Sequence, residues 1–252
     1  ELLAKRGFYC PRDGLSKVTG YFSDDELRDL QVLFFLAWTD PSFFAAFEGL
    51  RYLREKGRKF SEEDKKILMD VQRDILKGTI PLYRELAAKG TVELSTSAFY
   101  HPIIPLLIDS ASAREAMPGV NLPDVPFAWP RDASRQISSG LDLFEKAMGI
   151  RPAGMWPPEG SVSEAALELY MEHGVRWLAT DEDILFESLR WGTRRDERGF
   201  IINPEVLYKP YRYERGGRDI SIIFRDQSLS DLISFHYSRS DAKEAARDCL
   251  NR

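Results

Sequence analysis

The sequence predicts an α/β fold in which a largely parallel sheet is surrounded by helices. Short apolar and β-branched runs alternate with longer segments of helical periodicity, and this alternation is typical of β/α units. At 252 residues, of which 43% are apolar, the chain is long enough to bury a full core. No repeat, low-complexity segment or linker divides it, so we expect a single domain over residues 1–252.

The first third of the chain is predicted to be helical. Ser23 and Glu26 have the spacing of a capping box at the start of the periodic segment "SDDELRDLQVLFFLAW". The segment "SEEDKKILMDVQRDILKG" repeats this pattern and is expected to end at Gly78, ahead of Pro81. A further helical piece, "LYRELAAKG", is expected to stop at Gly90, because glycine commonly follows a helix C-terminus.

Five strands and three more helices are predicted beyond this point. One helix runs from about Asp132 to Met148, a second is "SVSEAALELYMEHG", and the last is "SDAKEAARDCLNR". Residues 186–206 are expected to be irregular, and "GTRRDERG" within them is mixed in charge and is interpreted as a solvated loop. The predicted strands are "TVELST", "GMW", "VRWLAT", "VLYKPYRY" and "DISIIF".

Charge and hydropathy argue against two classes of partner. The formal net charge is −5, and no dense stripe of lysine and arginine is present, so nucleic acid is not expected as a partner. No apolar run approaches the roughly 18 residues that a membrane-spanning helix needs. The first ten residues lack the order of a signal peptide, so the expected location is cytoplasmic.

The cysteines and histidines do not form a metal-binding pattern. Cys10 and Cys249 lie at opposite ends of the chain, so they indicate neither a disulfide framework nor a zinc site. His101, His173 and His236 show no paired ligand spacing. No metal or other cofactor is therefore predicted, and His173, near the end of a predicted helix, is expected to be structural.

Four apolar runs within or at the ends of the predicted strands each lead to an acidic residue. In parallel β/α folds, side chains at the carboxyl ends of the strands converge on one mouth, so these acids are expected to form a cluster. For any one of them the alternative is a helix cap or a surface salt bridge, and this alternative is strongest for the acid after "VRWLAT", which begins an acidic run. The four are Glu93, Glu159, Asp181 and Asp226.

Clustered carboxylates suit only a few kinds of chemistry. Metal binding lacks paired histidines here, phosphoryl transfer lacks a glycine-rich cradle, and serine catalysis lacks a G-x-S-x-G turn. Glycoside hydrolysis needs only two carboxyl groups, one as nucleophile or base and one as acid. A glycosidase is therefore the function that the acid pattern favours.

Four segments carry a resemblance to a known family. In this order, "VELSTSAFYHPIIPLL", "GMWPPEGSVS", "VRWLATDE" and "FRDQSLSDLISFHY" resemble glycoside hydrolase family 57. The resemblance implies an incomplete (β/α)7-type barrel, of the kind that glycoside hydrolases and deacetylases share. It also implies a retaining enzyme that acts on α-glucan oligo- or polysaccharides, as α-amylases, branching enzymes and 4-α-glucanotransferases do.

The resemblance assigns roles to individual residues. Glu159, in Trp-Pro-Pro-Glu, matches the family's nucleophile, and Asp226, in "FRD", matches its general acid/base. The family's first strand and its C-terminal helices have no counterpart, so the sequence is expected to be an internal piece of a longer enzyme. The residues expected to bind substrate are Glu93, His101, Trp156, Asp181, Arg225 and Asp231.

The retaining mechanism adds expectations about geometry and protonation. The carboxyl groups of Glu159 and Asp226 are expected to lie about 5–5.5 Å apart. Burial after "ISIIF" and the charge of Glu159 are expected to raise the pKa of Asp226. Arg225 is expected to turn away from Asp226 or to pair with another acid, such as Asp231.

Two other functions compete with the glycosidase. One is a catalytically incomplete remnant that binds carbohydrate without turning it over. The other is a metal-dependent polysaccharide deacetylase, which would need an Asp-Asp pair and two histidine ligands. Metal analysis separates the deacetylase from the glycosidase, and turnover of an aryl α-glycoside separates the remnant.

Overall fold

A computed structural model describes residues 20–190 and 194–252. The chain divides between Leu82 and Tyr83 into two compact units. The expected single domain over residues 1–252 stays a prediction. Among the described helices, none is long and apolar enough to cross a membrane.

The first unit is helical, as predicted. The capping box at Ser23 and Glu26 is present, with the serine hydroxyl accepting from the glutamate N–H and the glutamate accepting from the serine N–H. The buried core of the unit consists of Val32, Phe44, Leu50, Leu53, Phe60 and Leu68. The helices that begin in its described part are α1 (Asp24–Ala37), α2 (Pro41–Ala46), α3 (Glu48–Lys56) and α4 (Glu62–Ala88), and α4 continues past Leu82.

Helix α4 is longer than predicted. It continues through Gly78 and Pro81 to Ala88, so the predicted break between two helices is wrong. A proline inside a helix removes one backbone donor and leaves one carbonyl to find another partner. Residues 76–85 are exposed, so water can reach such a carbonyl. The rule that proline ends a helix therefore does not hold on this exposed stretch.

The second unit has an α/β fold, as predicted. Its strands are β1 (Ser95–Thr96), β2 (Gly154–Met155), β3 (Trp177–Asp181), β4 (Tyr211–Arg215) and β5 (Arg218–Arg225). They form one sheet in the order β1-β2-β3-β5-β4, in which the first four are parallel and β4 is antiparallel to β5. Within the described residues this sheet is open, with β1 and β4 at its edges, as an incomplete barrel requires.

Helices surround this sheet. The long helix predicted from Asp132 is present as α7, and the "SVSEAALELYMEHG" helix is α8, whose N-terminus is capped by Ser163. Among the described residues of 186–206, which the sequence predicts to be irregular, only the two ends are helical, at 186–188 and 204–206. The helices are α5 (Ile104–Ile108), α6 (Ala113–Ala116), α7 (Pro130–Met148), α8 (Glu164–Glu172), α9 (Glu182–Ser188), α10 (Pro204–Leu207), α11 (Gln227–Asp231) and α12 (Ala242–Leu250).

Two glycines allow close packing around the start of the sheet. A Cβ at Gly154 would lie 2.0 Å from the ring of Trp177, so the indole of β3 lies directly over β2. A Cβ at Gly140 would lie 2.5 Å from the carbonyl oxygen of Ser97, so α7 packs against the backbone that follows β1. Any larger residue at either position would displace the neighbouring ring or backbone.

Candidate active site

Three of the four predicted acids lie at the carboxyl edge of the sheet. Strand β2 ends at Met155 beside β3, and β3 and β5 end side by side, with Asp181 opposite Arg225. Glu159 follows β2 and Asp226 follows β5, so both leave the sheet from the same edge. The structure therefore places the two predicted catalytic carboxylates on either side of β3.

Glu93 lies at the amino ends of the strands, so its predicted position at the carboxyl ends is wrong. Strand β1 begins only at Ser95, so Glu93 precedes the strand instead of following it. Its carboxylate accepts a hydrogen bond of 2.7 Å from the indole of Trp177, the first residue of β3. Pro152 and Pro157 bracket β2 and limit it to two residues, so most of "TVELST" has no neighbouring strand to pair with.

Glu159 lies in a strained and exposed turn. Pro157 and Pro158 stop β2, and residues Pro158–Gly160 form a single 3-10 turn. Glu159 has φ 55°, in the left-handed region that side chains other than glycine, asparagine and aspartate rarely adopt. Its side chain is 74% exposed. The turn thus holds a glutamate carboxylate out from the carboxyl edge at a cost in backbone strain.

His101 faces this carboxylate and is strained in the same way. Its φ is 56°, and its Nε2 lies 3.7 Å from Oε1 of Glu159. The hydroxyl of Ser97 donates to the carbonyl of Trp156 and lies 3.0 Å from Nδ1 of His101. Because this hydroxyl has a single proton and the carbonyl can only accept, Nδ1 donates to the serine oxygen. Nε2, on the other side of the ring, is the nitrogen that faces Glu159.

Trp156 and Thr180 support the turn that carries Glu159. The Trp156 N–H donates to the carbonyl of Thr96 at 2.7 Å, and its ring lies 3.8 Å from where a Cβ on Gly160 would be. Thr180 is fully buried in β3, and its hydroxyl donates to the carbonyl of Gly160. The turn is thus fixed from both neighbouring strands.

Asp226 is in the opposite environment. Its side chain is only 7% exposed and accepts three hydrogen bonds. Its Oδ1 accepts from Arg195 Nη2 at 2.9 Å and from the N–H of Leu229 at 2.8 Å, which caps helix α11. Its Oδ2 accepts from the Tyr208 hydroxyl at 2.6 Å. The carboxylate is therefore held in one orientation by donors from three segments.

These donors lower the pKa of Asp226. Burial by itself would raise the pKa, but the hydrogen bonds from Tyr208, Leu229 and Arg195 and the arginine charge outweigh it. The predicted upward shift is therefore wrong. The pKa is lowered because the segment around residues 195–208 packs beside Asp226. This segment supplies an arginine and a tyrosine that local sequence patterns do not connect to Asp226.

Glu182 is a buried acid that the strand-end pattern did not single out. Its side chain is 6% exposed, and both of its oxygens accept from Arg195 Nη2, at 2.6 and 2.7 Å. Burial raises the pKa of Glu182, and the charge of Asp226 adds to this, whereas Arg195 opposes it. Strand alternation could have found it: Leu178 and Thr180 point inward, and Glu182 follows at the next inward position.

Sequence patterns also missed Arg195 and Tyr208. Arg195 lies in "GTRRDERG", the segment interpreted as a solvated loop, yet its side chain is only 22% exposed. Burial, followed by the hydrogen bond to Asp226, raises the pKa of Tyr208 to about 12, so this hydroxyl keeps its proton at neutral pH. No local signal marks either residue, because their partner lies 31 and 18 residues away in the chain.

Asp181 and Arg225 form an ion pair beside the candidate catalytic residues. Asp181 caps helix α9 by accepting from the N–H of Asp183, and its other oxygen accepts from Arg225 Nε at 2.9 Å. The expected pairing of Arg225 with an acid is present, but the partner is Asp181 and not Asp231. Asp231 is partly buried at the end of α11.

The remaining histidines lie outside this arrangement. His173 ends helix α8, and its Nε2 is 2.8 Å from the Ser134 hydroxyl, which agrees with the predicted structural role. His236 is exposed at the end of a π-helical turn, Leu232–His236. Within residues 20–190 and 194–252, no group of three or more His, Cys, Asp or Glu side chains is arranged to hold a metal ion.

Two hollows open beside the candidate residues. One, of about 100 Å³, borders Asp226, Arg195 and Tyr208, and is smaller than a typical ligand site. The other, of about 370 Å³, borders His101 and Ser97 and is also lined by helix α7. The larger hollow lies within the size range of small-molecule sites, which is roughly 300–1,000 Å³.

A family model identifies the chain. The model for glycosyl hydrolase family 57 matches residues 14–252. The chain belongs to glycosyl hydrolase family 57. This confirms the resemblance that the four sequence segments carried, and it covers nearly all of the chain. No curated protein matches the chain significantly.

Solved structures of family 57 enzymes resemble part of the chain. A branching enzyme from Thermococcus kodakaraensis is 18% identical, with a TM-score of 0.47 over 88% of this chain and 37% of that one. The α-amylase AmyC from Thermotoga maritima is 16% identical, with a TM-score of 0.46 over 87% and 35%. A 4-α-glucanotransferase from Thermococcus litoralis is 22% identical, with a TM-score of 0.43 over 69% and 22%. The chain therefore spans about a fifth to just over a third of these proteins.

Proposed function

We propose that this chain carries the catalytic residues of a retaining glycosidase or transglycosylase that acts on α-glucans. Glu159 is the nucleophile and Asp226 is the general acid/base. The observation that supports this most directly is that two carboxylates leave the same sheet edge in opposite environments, one exposed and one buried among donors. Enzymes commonly separate the roles of paired carboxylates by giving them different environments.

The surroundings of Glu159 suit a nucleophile. Its carboxylate projects from the turn after β2 and is mostly exposed, with His101 Nε2 lying 3.7 Å from Oε1. It is therefore available to attack an anomeric carbon and to form a glycosyl-enzyme intermediate. The bond to the leaving oxygen breaks as the bond to Glu159 forms, and attack by water or another sugar then releases the glycosyl group from Glu159.

Asp226 would transfer the proton in both steps. It donates to the leaving oxygen in the first step and accepts a proton from water or an acceptor hydroxyl in the second. Its lowered pKa means that the protonated form becomes scarce as pH rises through that pKa. The first step is therefore expected to be fastest at acidic pH, with kcat/KM falling towards neutral pH.

The proposed substrate contacts come from the same edge. Trp156 offers an aromatic ring next to the turn of Glu159, and His101 flanks the carboxylate. The Asp181–Arg225 pair and Asp231 contribute polar groups after β3 and β5. Glu93 is not among the proposed substrate contacts, because its carboxylate accepts a hydrogen bond from the Trp177 indole at the amino ends of the strands.

The test replaces Glu159 by alanine in the natural protein that contains this chain. With an aryl α-maltoside, turnover is expected to fall by about 10³-fold or more, because the covalent route is lost. Added azide is expected to restore turnover and to yield a glycosyl azide of inverted, β configuration. Glu164→Ala, an exposed glutamate at the start of α8, serves as the matched control and should retain activity.

Two results would overturn the proposal. Near-normal turnover by the Glu159→Ala variant would show that another group is the nucleophile. Glucan binding by the wild-type protein without any turnover, measured by calorimetry beside the activity assay, would instead favour the carbohydrate-binding remnant.

A further inference from the structure

We propose that Glu182, Arg195 and Tyr208 are positioning residues that hold Asp226 as an oriented carboxylate, with Glu182 limiting how strongly Arg195 stabilises it. This inference rests on the proposed role of Asp226 as general acid/base. It adds that a second buried acid, Glu182, competes with Asp226 for the same arginine nitrogen.

The competition follows from the geometry of one nitrogen. Arg195 Nη2 lies 2.6 and 2.7 Å from the two oxygens of Glu182 and 2.9 Å from Oδ1 of Asp226. This nitrogen carries only two hydrogens, so three acceptors share two donors. Arg195 Nη1 is directed elsewhere, to the carbonyl of Gly199 at 2.8 Å. When Glu182 takes one of these hydrogens, one is left for Asp226, and when its two oxygens take both, Asp226 receives none.

The charges in the cluster make this competition matter. Two buried acids face one arginine cation, and Tyr208 adds a neutral donor to Asp226 at 2.6 Å. Buried charges depend strongly on their hydrogen-bond partners, because water screens them poorly. The proton affinity of Asp226 should therefore respond to each member of the cluster, and in a direction set by its charge.

Other charged groups near Asp226 are engaged with different partners. Arg252 borders the same small hollow, but its Nε pairs with Asp248 at 3.0 Å. Arg225, the preceding residue, pairs with Asp181. The N–H of Leu229 at the start of α11 is a fixed backbone donor. Among the described side chains, Arg195, Tyr208 and Glu182 are thus the ones that can adjust Asp226.

The expected shifts have opposite signs. Glu182→Gln removes the competing anion, so Arg195 stabilises the Asp226 carboxylate more strongly and the pKa of Asp226 should fall. Tyr208→Phe removes a donor to that carboxylate, so the pKa should rise. Arg195→Gln removes the cation and should raise the pKa of Asp226 further. If Arg195→Gln does not fold, the two other variants still test the proposal.

The experiment measures Asp226 directly. The full natural protein is labelled with [13Cγ]aspartate, the Asp226 signal is assigned by its loss in Asp226→Asn, and its chemical shift is followed against pH. Tyr211→Phe is the matched control, because the Tyr211 hydroxyl donates to the carbonyl of Val206 at 2.6 Å and should leave Asp226 unchanged. An Asp226 pKa that moves in the same direction in Glu182→Gln and Tyr208→Phe, or in neither, would overturn the inference.

A parallel activity measurement keeps the two proposals apart. The basic limb of the kcat/KM profile is expected to move with the NMR pKa of Asp226, to lower pH in Glu182→Gln and to higher pH in Tyr208→Phe. If the NMR values shift as expected while the basic limb stays in place, the cluster is as proposed and Asp226 is not the general acid. If the basic limb of the kcat/KM profile depends on Asp226 but the NMR pKa of Asp226 does not shift in the two variants, the inference about the cluster fails. The proposed role of Asp226 as general acid then stands.

Discussion

Glu159 and Asp226 leave the same edge of one sheet, yet they differ in almost every physical respect. Glu159 is 74% exposed and sits on a strained backbone, whereas Asp226 is 7% exposed and accepts three hydrogen bonds. The difference arises in the segment after each strand. Two prolines force β2 into a tight turn, whereas β5 leads into a helix that Asp226 caps. Position on the sheet puts both acids at its carboxyl edge, and the segment after the strand sets their chemistry.

The largest expected effect is a difference in rate loss between the variants of the two acids, and it depends on the leaving group of the substrate. With a dinitrophenyl α-glucoside, whose leaving group needs no proton, Glu159→Ala should lose about 10³-fold or more in the first step. Asp226→Asn should lose far less on this substrate, but about 10²–10⁴-fold on a natural α-glucan. Pre-steady-state release of dinitrophenol measures the first step. Equal losses by the two variants on both substrates would remove the distinction between nucleophile and acid.

The next effect concerns folding stability. Asp226→Ala should destabilise the protein by about 3 kcal/mol, because it breaks a buried pair with Arg195 and removes the cap of α11. Glu159→Ala should change the free energy of unfolding by less than about 0.5 kcal/mol, since its side chain is exposed. Urea unfolding followed by circular dichroism gives both values. A destabilisation that is as large for Glu159→Ala would mean that its exposed carboxylate is part of the fold.

The stability due to Asp226 should also depend on pH. Its pKa is lowered from the ordinary value of 3.8, so its contribution is present above that value and is lost as pH falls through the lower, folded-state pKa. The stability gap between wild type and Asp226→Asn should therefore shrink on acidification below pH 3.8. Glu182 acts in the opposite sense, because its pKa is raised and its contribution is lost as pH rises. Thermal unfolding of wild type, Asp226→Asn and Glu182→Gln across pH tests both signs.

The smallest expected effect is a gain. Glu159→Gly should stabilise the protein by about 1 kcal/mol, because glycine adopts the left-handed conformation at φ 55° without strain. The control is Glu168→Gly inside helix α8, which should instead destabilise by about 1 kcal/mol. The same urea titrations measure both. Destabilisation by Glu159→Gly would show that the glutamate side chain supports the turn.

The sequence predicts the features that local patterns and topology determine. The capping box at Ser23, the helix after Ser163 and the acids after β2, β3 and β5 all follow from short-range spacing and strand alternation. The failures are long-range. Strand β1 is short because its partner is short, and Glu93 therefore falls at the wrong edge. Asp226 has a lowered pKa because Arg195 and Tyr208, which precede the β4–β5 hairpin, pack beside it.

The indole of Trp177 gives the sheet an intrinsic optical signal. The ring lies over Gly154 and donates to Glu93, so it reports on the first three strands at once. Separation of β2 from β3 would expose the ring and change its emission. The sequence contains five tryptophans, so a variant in which the other four are phenylalanine would isolate this signal. Its fluorescence during refolding would then time the docking of β2 against β3.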